Sequence, residues 1–235
     1  METAVRALNA LLMIVLPLAL GACLARRYRL PWTLFGWGAV TFVGAQVVHV
    51  SLLQLLTVSL RGRLTGPFVI EHALLINAVV LGLAAGVCEE TARWVAYRWL
   101  VPYARSWPEG LMLGAGHGGA EAIILGLLAG VALLQSAPAG QGLMPLLGTA
   151  ERIFALADHL ALSVLVLQVF VGGRWHWLVI AIGWHGLLDG VTFYASRHVS
   201  TLAVEGILAG FGVASIAIVV ALRRPRGTVT RSSRR

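Results

Sequence analysis

Between His72 and Trp99 the chain reads HALLINAVVLGLAAGVCEETARWVAYRW. The run exceeds the roughly 20 residues with which an α-helix crosses the hydrocarbon of a bilayer, so it reads as a transmembrane helix that tilts or projects beyond the lipid. Six other apolar stretches, marked off by arginines, prolines and glycines, have the same character: Ala4 to Leu24, Trp32 to Leu60, Gly110 to Gln135, Arg152 to Val171, Trp175 to Ser196 and Thr201 to Leu222. The expected fold is all-α, a polytopic transmembrane helical bundle of about seven helices.

Composition agrees. Hydrophobic residues make up 58% of the 235 residues and charged ones 12%, with a mean hydropathy of +0.83, far from the usage of a soluble domain. Cys23 and Cys88 both lie in or beside apolar runs, so no disulfide framework is expected. The net charge of +8 comes from arginine alone, and six of the eighteen arginines fall between Arg223 and Arg235. Residues 1–222 are therefore expected to form one transmembrane domain, and residues 223–235 a basic, disordered cytoplasmic tail. Beside a membrane helix such a tail faces anionic lipid, and nucleic acid is not an expected partner.

Orientation follows from the same residues. With the N-terminus outside and the C-terminus inside, thirteen arginines fall on inner segments and five on outer ones, the bias that the positive-inside rule requires. Trp32, Trp99, Trp107, Trp175 and Trp177 all fall at inner interfaces in that arrangement. The segment Leu20-Gly21-Ala22-Cys23 resembles a lipoprotein cleavage site, but Arg26, Arg27 and Arg29 follow at once and suit an uncleaved first helix held at the cytoplasmic face. The expected location is the cell membrane, as a multi-pass protein.

An ionisable side chain at mid-bilayer costs at least roughly 2.5–3.5 kcal/mol on insertion scales, so each one is a functional candidate. The third span carries Glu89, Glu90 and Arg93; the fourth, His117 and Glu121; the fifth, Asp158 and His159; the sixth, His185 and Asp189. Glu89 and Arg93, His117 and Glu121, and His185 and Asp189 are i, i+4 pairs that share a helix face. At roughly 1.5 Å per residue, Glu89, His117 and His185 lie about 10–16 Å from the inner ends, and His159 and Asp189 nearer 20 Å. Four helices are thus expected to aim polar groups into one cavity opening toward the cytoplasm. Asp158 points about 100° away from His159 and reads as an inter-helix or wall residue. His49, alone in the second span, reads as packing or an interhelical hydrogen bond.

Five carboxylates (Glu89, Glu90, Glu121, Asp158, Asp189) against Arg93 leave −4 if the histidines are neutral, which low dielectric does not tolerate unbalanced. Carboxylates hold protons, or histidines do, or a divalent cation is bound. Each route gives a group able to activate water. The mixed imidazole and carboxylate donors suit zinc, with His117, His159 and His185 as candidate ligands. The depth of His159 instead favours a metal-free glutamate mechanism.

The order of these motifs, Glu89-Glu90-Thr91-Ala92-Arg93, Gly116-His117-Gly118-Gly119-Ala120-Glu121, Glu151-Arg152 followed by His159, and His185 through Asp189, resembles the YhfC-like family of bacterial intramembrane peptidases. Its relatives are the PrsW-type proteases and the CAAX prenyl endopeptidases, regarded as glutamate-dependent and sometimes described as metalloproteases. The CAAX-type pattern has one residue more in its first motif and asparagine where this chain has Asp189. The resemblance implies that Glu89 with His117 activates water, that His185 and Asp189 stabilise the oxyanion or orient the water, and that membrane-associated proteins or peptides are the substrates. Arg93 is expected to hold the glutamate pair, which keeps Glu90 in the candidate set. The alternative is a proton- or metal-coupled transporter using the same cluster, against which stands the lack of an internal repeat.

Overall fold

The computed structural model describes residues 2–60, 66–135 and 144–223. These form α1 (Glu2–Tyr28), α2 (Trp32–Leu60), a short α3 (Pro67–Glu71), α4 (Ala73–Val95), α5 (Trp107–Leu134), α6 (Leu147–Gly172), α7 (His176–Ala195) and α8 (Thr201–Ala221). Seven of them, all but α3, are long and apolar enough to cross a membrane. Arg61, Arg63 and nearly all of the basic tail lie outside the described residues.

Local chemistry sets the ends. α1 stops where Arg29 takes a left-handed φ of 56°, just before Leu30-Pro31. α4 does not stop at Val95 but widens into a π-helical turn, Ala96–Leu100. α5 begins where Glu109 reaches back to accept from the backbone N–H groups of Arg105 and Ser106, at 2.9 and 2.8 Å, which satisfies donors that a helix N-terminus leaves free. α6 ends on Gly173 at a φ of 66°, the left-handed cap that glycine adopts without strain.

α5 packs against α1, α2 and α6, while α4 packs against α7, and α6 against α8. Small residues make these seams. A Cβ on Gly86 of α4 would lie 2.7 Å from the Ile182 carbonyl of α7, and one on Gly114 of α5 would lie 2.6 Å from the His159 carbonyl of α6. Backbone approach of this kind drives helix association in lipid, where apolar burial offers little. Gly183, by contrast, has nothing within 4 Å.

The bundle is solid at one end and hollow at the other. At the end carrying the α4–α5 turn, every residue from Gly110 to Ala120 of α5 and from Ala161 to Val169 of α6 is buried, around Leu34, Tyr97, Met112 and Leu113. Trp94 meets Trp99 edge to face and Trp175 at a tilt there, with ring centroids 5.3 and 5.6 Å apart, and the Arg105 guanidinium lies 4.8 Å over Phe170, the aromatic and cationic belt expected at an interface. The polar groups lie from the middle of the bundle outward, with His117 inside the buried stretch of α5 and Glu121, Arg152 and Asp189 beyond it.

Candidate active site

Glu89 and Glu90 are successive residues, so their side chains leave α4 about 100° apart and meet different partners. Glu89 faces α2 and α5: Gln46 Nε2 donates to its Oε1 at 2.8 Å, and His117 Nε2 lies 2.9 Å from its Oε2. Glu90 faces α7, with Oε1 2.7 Å from His185 Nδ1, and pairs with Arg93 one turn on. Arg93 is fully buried; its Nη2 reaches His159 Nδ1 at 2.6 Å and lies 3.8 Å from Glu89 Oε2. Two helices, α4 and α6, are thereby fastened through one guanidinium.

The hydrogen-bond roles determine which ring nitrogens carry protons. Thr41 Oγ1 gives its only proton to the Gly38 carbonyl at 2.6 Å, so at 2.9 Å from His117 Nδ1 it can only accept. A neutral His117 is then the Nδ1–H tautomer, and its Nε2 lone pair points at Glu89 Oε2. Arg93 is solely a donor, so His159 Nδ1 accepts, and a neutral ring donates through Nε2 to Glu121 Oε2 at 2.6 Å. His185 gives Nδ1–H to an ionised Glu90 and turns Nε2 toward Asp189 Oδ2, 3.5 Å away, and Glu89 Oε2, 3.9 Å away. Glu89 Oε2 and His117 Nε2, 2.9 Å apart, therefore share one further proton, carried by the carboxyl or by the imidazole.

The structure brings all eight candidates from the four helices together. His159, expected deeper than its neighbours, has its ring centroid 5.3 Å from that of His117 and 6.2 Å from that of His185, because α6 lies close along α5 at Gly114 and Gly118. The single-arginine charge count needs correcting as well. Arg152, counted among the outer flanking arginines, is buried and pairs with both Glu121 and Glu151, so a second cation offsets the carboxylates. Asp158 does link helices: it accepts from Ser215 of α8, which in turn accepts from Trp184 of α7 at 3.1 Å.

Thr41 and Gln46 escaped the sequence reading because neither is ionisable. The available signal was that Thr41 and Gln46 are, with Thr33 at the helix start, the polar side chains on the otherwise apolar first half of α2. His49, expected to pack or hydrogen-bond, has a buried Nε2 with no partner among the described residues. Ser163 is occupied by Tyr97, its Oγ 2.8 Å from the phenol oxygen.

Two openings reach the cluster. A polar cavity of about 410 Å³ runs from Glu89, His159 and His185 past Arg152 to Ser196 and Glu205. A larger groove of about 780 Å³ runs between α2 and α5, from Glu89 and Glu121 past Val47 to Ser51 and Leu125. Both open away from the tryptophan-lined end, not toward it as the depth argument anticipated. That argument counted residues along each helix and could not register that small residues close one half and leave the other open.

Glu89, His117 and His159 each offer a ligand atom, and the three atoms lie within 4.8 Å of one another. A carboxylate with two imidazoles is a donor set that zinc accepts, once the proton between Glu89 and His117 is given up. His159 would have to give up Arg93 or Glu121. His185, a candidate ligand from the sequence, is not in this group, being turned to Glu90 and Asp189.

In comparison with known proteins, residues 12–142 and 133–211 match a family model described as YhfC intramembrane metalloprotease. The chain is 30% identical over 254 residues to a Bacillus subtilis (strain 168) protein described as "Uncharacterized membrane protein YhfC", a match covering 93% of this chain and 95% of that relative. No solved structure matches.

Proposed function

Given that this chain belongs to the YhfC family, we propose that it is an intramembrane endopeptidase that hydrolyses peptide bonds of membrane-associated substrates with water activated by Glu89 and His117. One observation carries this reading: Glu89 Oε2 and His117 Nε2 are hydrogen-bonded to one another at 2.9 Å, with Glu89 at the inner end of a cavity. A water lodged in the cavity against Glu89, whose ionised carboxylate accepts from Gln46 and from a protonated His117, would donate a hydrogen to it and turn its own lone pair outward, toward a carbonyl carbon. Glu89 then takes the proton as general base, while Gln46 holds its other oxygen. His185, with Nδ1–H held by Glu90, donates from Nε2 when protonated and is placed beside Asp189 to stabilise the oxyanion. Arg93 keeps Glu89, Glu90 and His159 in register, and Glu121 with Arg152 fixes the far side of His159.

A metal-assisted version is the second reading, favoured by the Glu89, His117 and His159 grouping and by the family's description. A divalent cation held there would supply an acidified water and polarise the substrate carbonyl. Both versions are tested by incubating purified protein with candidate membrane-protein substrates, wild type against Glu89→Gln. Loss of the general base is expected to lower the rate by about 10²- to 10⁴-fold; a Glu89→Gln protein that cleaves at the wild-type rate would refute the assignment and move it to Glu90.

A further inference from the structure

The two openings and the distribution of arginine point to one side of the membrane. Arg93 and Arg152 are buried in the site; of the other arginines among the described residues, seven lie at the tryptophan-lined end and two at the opposite end. The rule that positive charge stays inside makes the solid end cytoplasmic. The fully packed stretches of α5 and α6 lie between that face and Glu89, and the cavity of about 300 Å³ at that face, around Arg105 and Gln168, is lined by none of the site residues. The mouth of the cavity, at Ser196 and Glu205, is built from the end of α7 and the start of α8, which is the opposite face.

The groove lies in the same half. It begins at Phe42, ten residues or about 15 Å along α2 from its cytoplasmic end, and continues to Ser51. Its α2 and α5 walls include Val43, Val47, Val50, Ile124 and Leu125, all exposed to the lipid side, and its floor is Glu89, Glu121 and Asp189. Lipid-facing apolar walls over a carboxylate floor suit a chain that arrives from the bilayer and places a peptide bond at Glu89. Irregular backbone survives at membrane depth only where a cavity receives it.

We infer that the site is served from the extracytoplasmic side: water enters through the cavity at Ser196 and Glu205, and the substrate is a membrane-anchored protein whose transmembrane segment enters the α2–α5 groove and is cut in its outer half. The identity of the substrate rests on the peptidase reading; the route of access does not.

The experiment uses full-length protein in intact cells, with Cys23→Ala and Cys88→Ala, carrying one of Leu188→Cys (cavity wall), Ser196→Cys (cavity mouth) or Ser106→Cys (solid end), and a membrane-impermeant thiol reagent. If the cysteine-free parent does not fold, the same three changes are read above the background of the native cysteines. Leu188→Cys and Ser196→Cys are expected to label in intact cells, and Ser106→Cys only in inverted vesicles; the reverse pattern would overturn the proposal. In parallel, a single-pass reporter is cleaved and its fragments are sequenced at the cut. A cut in the outer half supports the proposal, and a cut in the inner half overturns its substrate part. Outside labelling with no cleavage of any reporter would refute the peptidase reading and leave the access route standing.

Discussion

At the scale of single residues, the protonation pattern of the site hangs on groups that carry no charge. Thr41 holds His117 as its Nδ1–H tautomer because its own proton is committed to Gly38. Removing that acceptor lets the ring rotate or change tautomer, and partners of this kind typically matter by about 10- to 100-fold in activity or metal affinity. Thr41→Val, nearly the same shape, is expected to lower the rate by about that factor, and Thr41→Ser to restore it. Nitrogen-15 spectra of histidine-labelled protein check the cause: the Nδ1–H signal of His117 should be kept in the serine variant and altered in the valine one. Arg93 presents the opposite case, a buried charge with several partners. Arg93→Met leaves Glu90 and Glu89 without their cation, and breaking a buried ion pair from one side costs on the order of 3–5 kcal/mol. Thermal unfolding in mild detergent should show a large loss of stability, not merely of activity.

At the scale of elements, the site exists because helices touch through glycine. α4 and α7 meet where Gly86 faces the Ile182 carbonyl, three and four residues before Glu89 and Glu90. Any side chain there drives the two helices apart and separates Glu90 from His185. Gly86→Val is expected to cost about 1–3 kcal/mol, the usual range for overpacking, and to lower the cleavage rate. Gly183→Ala, on the same helix but exposed and with nothing within 4 Å, should leave both near wild type. Unfolding in detergent and a cleavage assay on the two variants distinguish packing glycines from incidental ones, a distinction that the spacing of glycines in the sequence does not contain.

At the scale of the whole molecule, topology and metal content are the measurable properties. Reporter fusions after residue 30, after Arg105 and at the C-terminus are expected to report cytoplasm, and those near Arg63 and Gln141 the outside, following the arginine distribution. An outside signal from the C-terminal fusion would contradict the arrangement. For metal, elemental analysis of protein purified without chelator, joined to activity after extended chelation, separates the two mechanisms. Full activity after chelation supports the metal-free water of Glu89 and His117. Stoichiometric zinc, with activity lost on chelation and restored by zinc alone, selects the metal-assisted version and makes Glu89, His117 and His159 the ligands to mutate first.

Seven spans were legible in the sequence because bilayer thickness imposes a length that apolar runs must meet, and there are seven such helices among the described residues. The eight candidate residues were legible because ionisable groups are costly in lipid and therefore rare there, and because i, i+4 spacing places pairs on one face. Tertiary structure decided the rest. Arg152 looked like a flanking charge until α6 packed against α5 and brought it to Glu121. His159 looked too deep until a glycine seam drew its helix in. Thr41 and Gln46 gained roles only when α2 laid them against His117 and Glu89. Which half of the bundle is hollow depends on how side-chain volumes fill the space between helices. Periodicity along a single chain records the direction a residue faces on its own helix, but not what stands opposite.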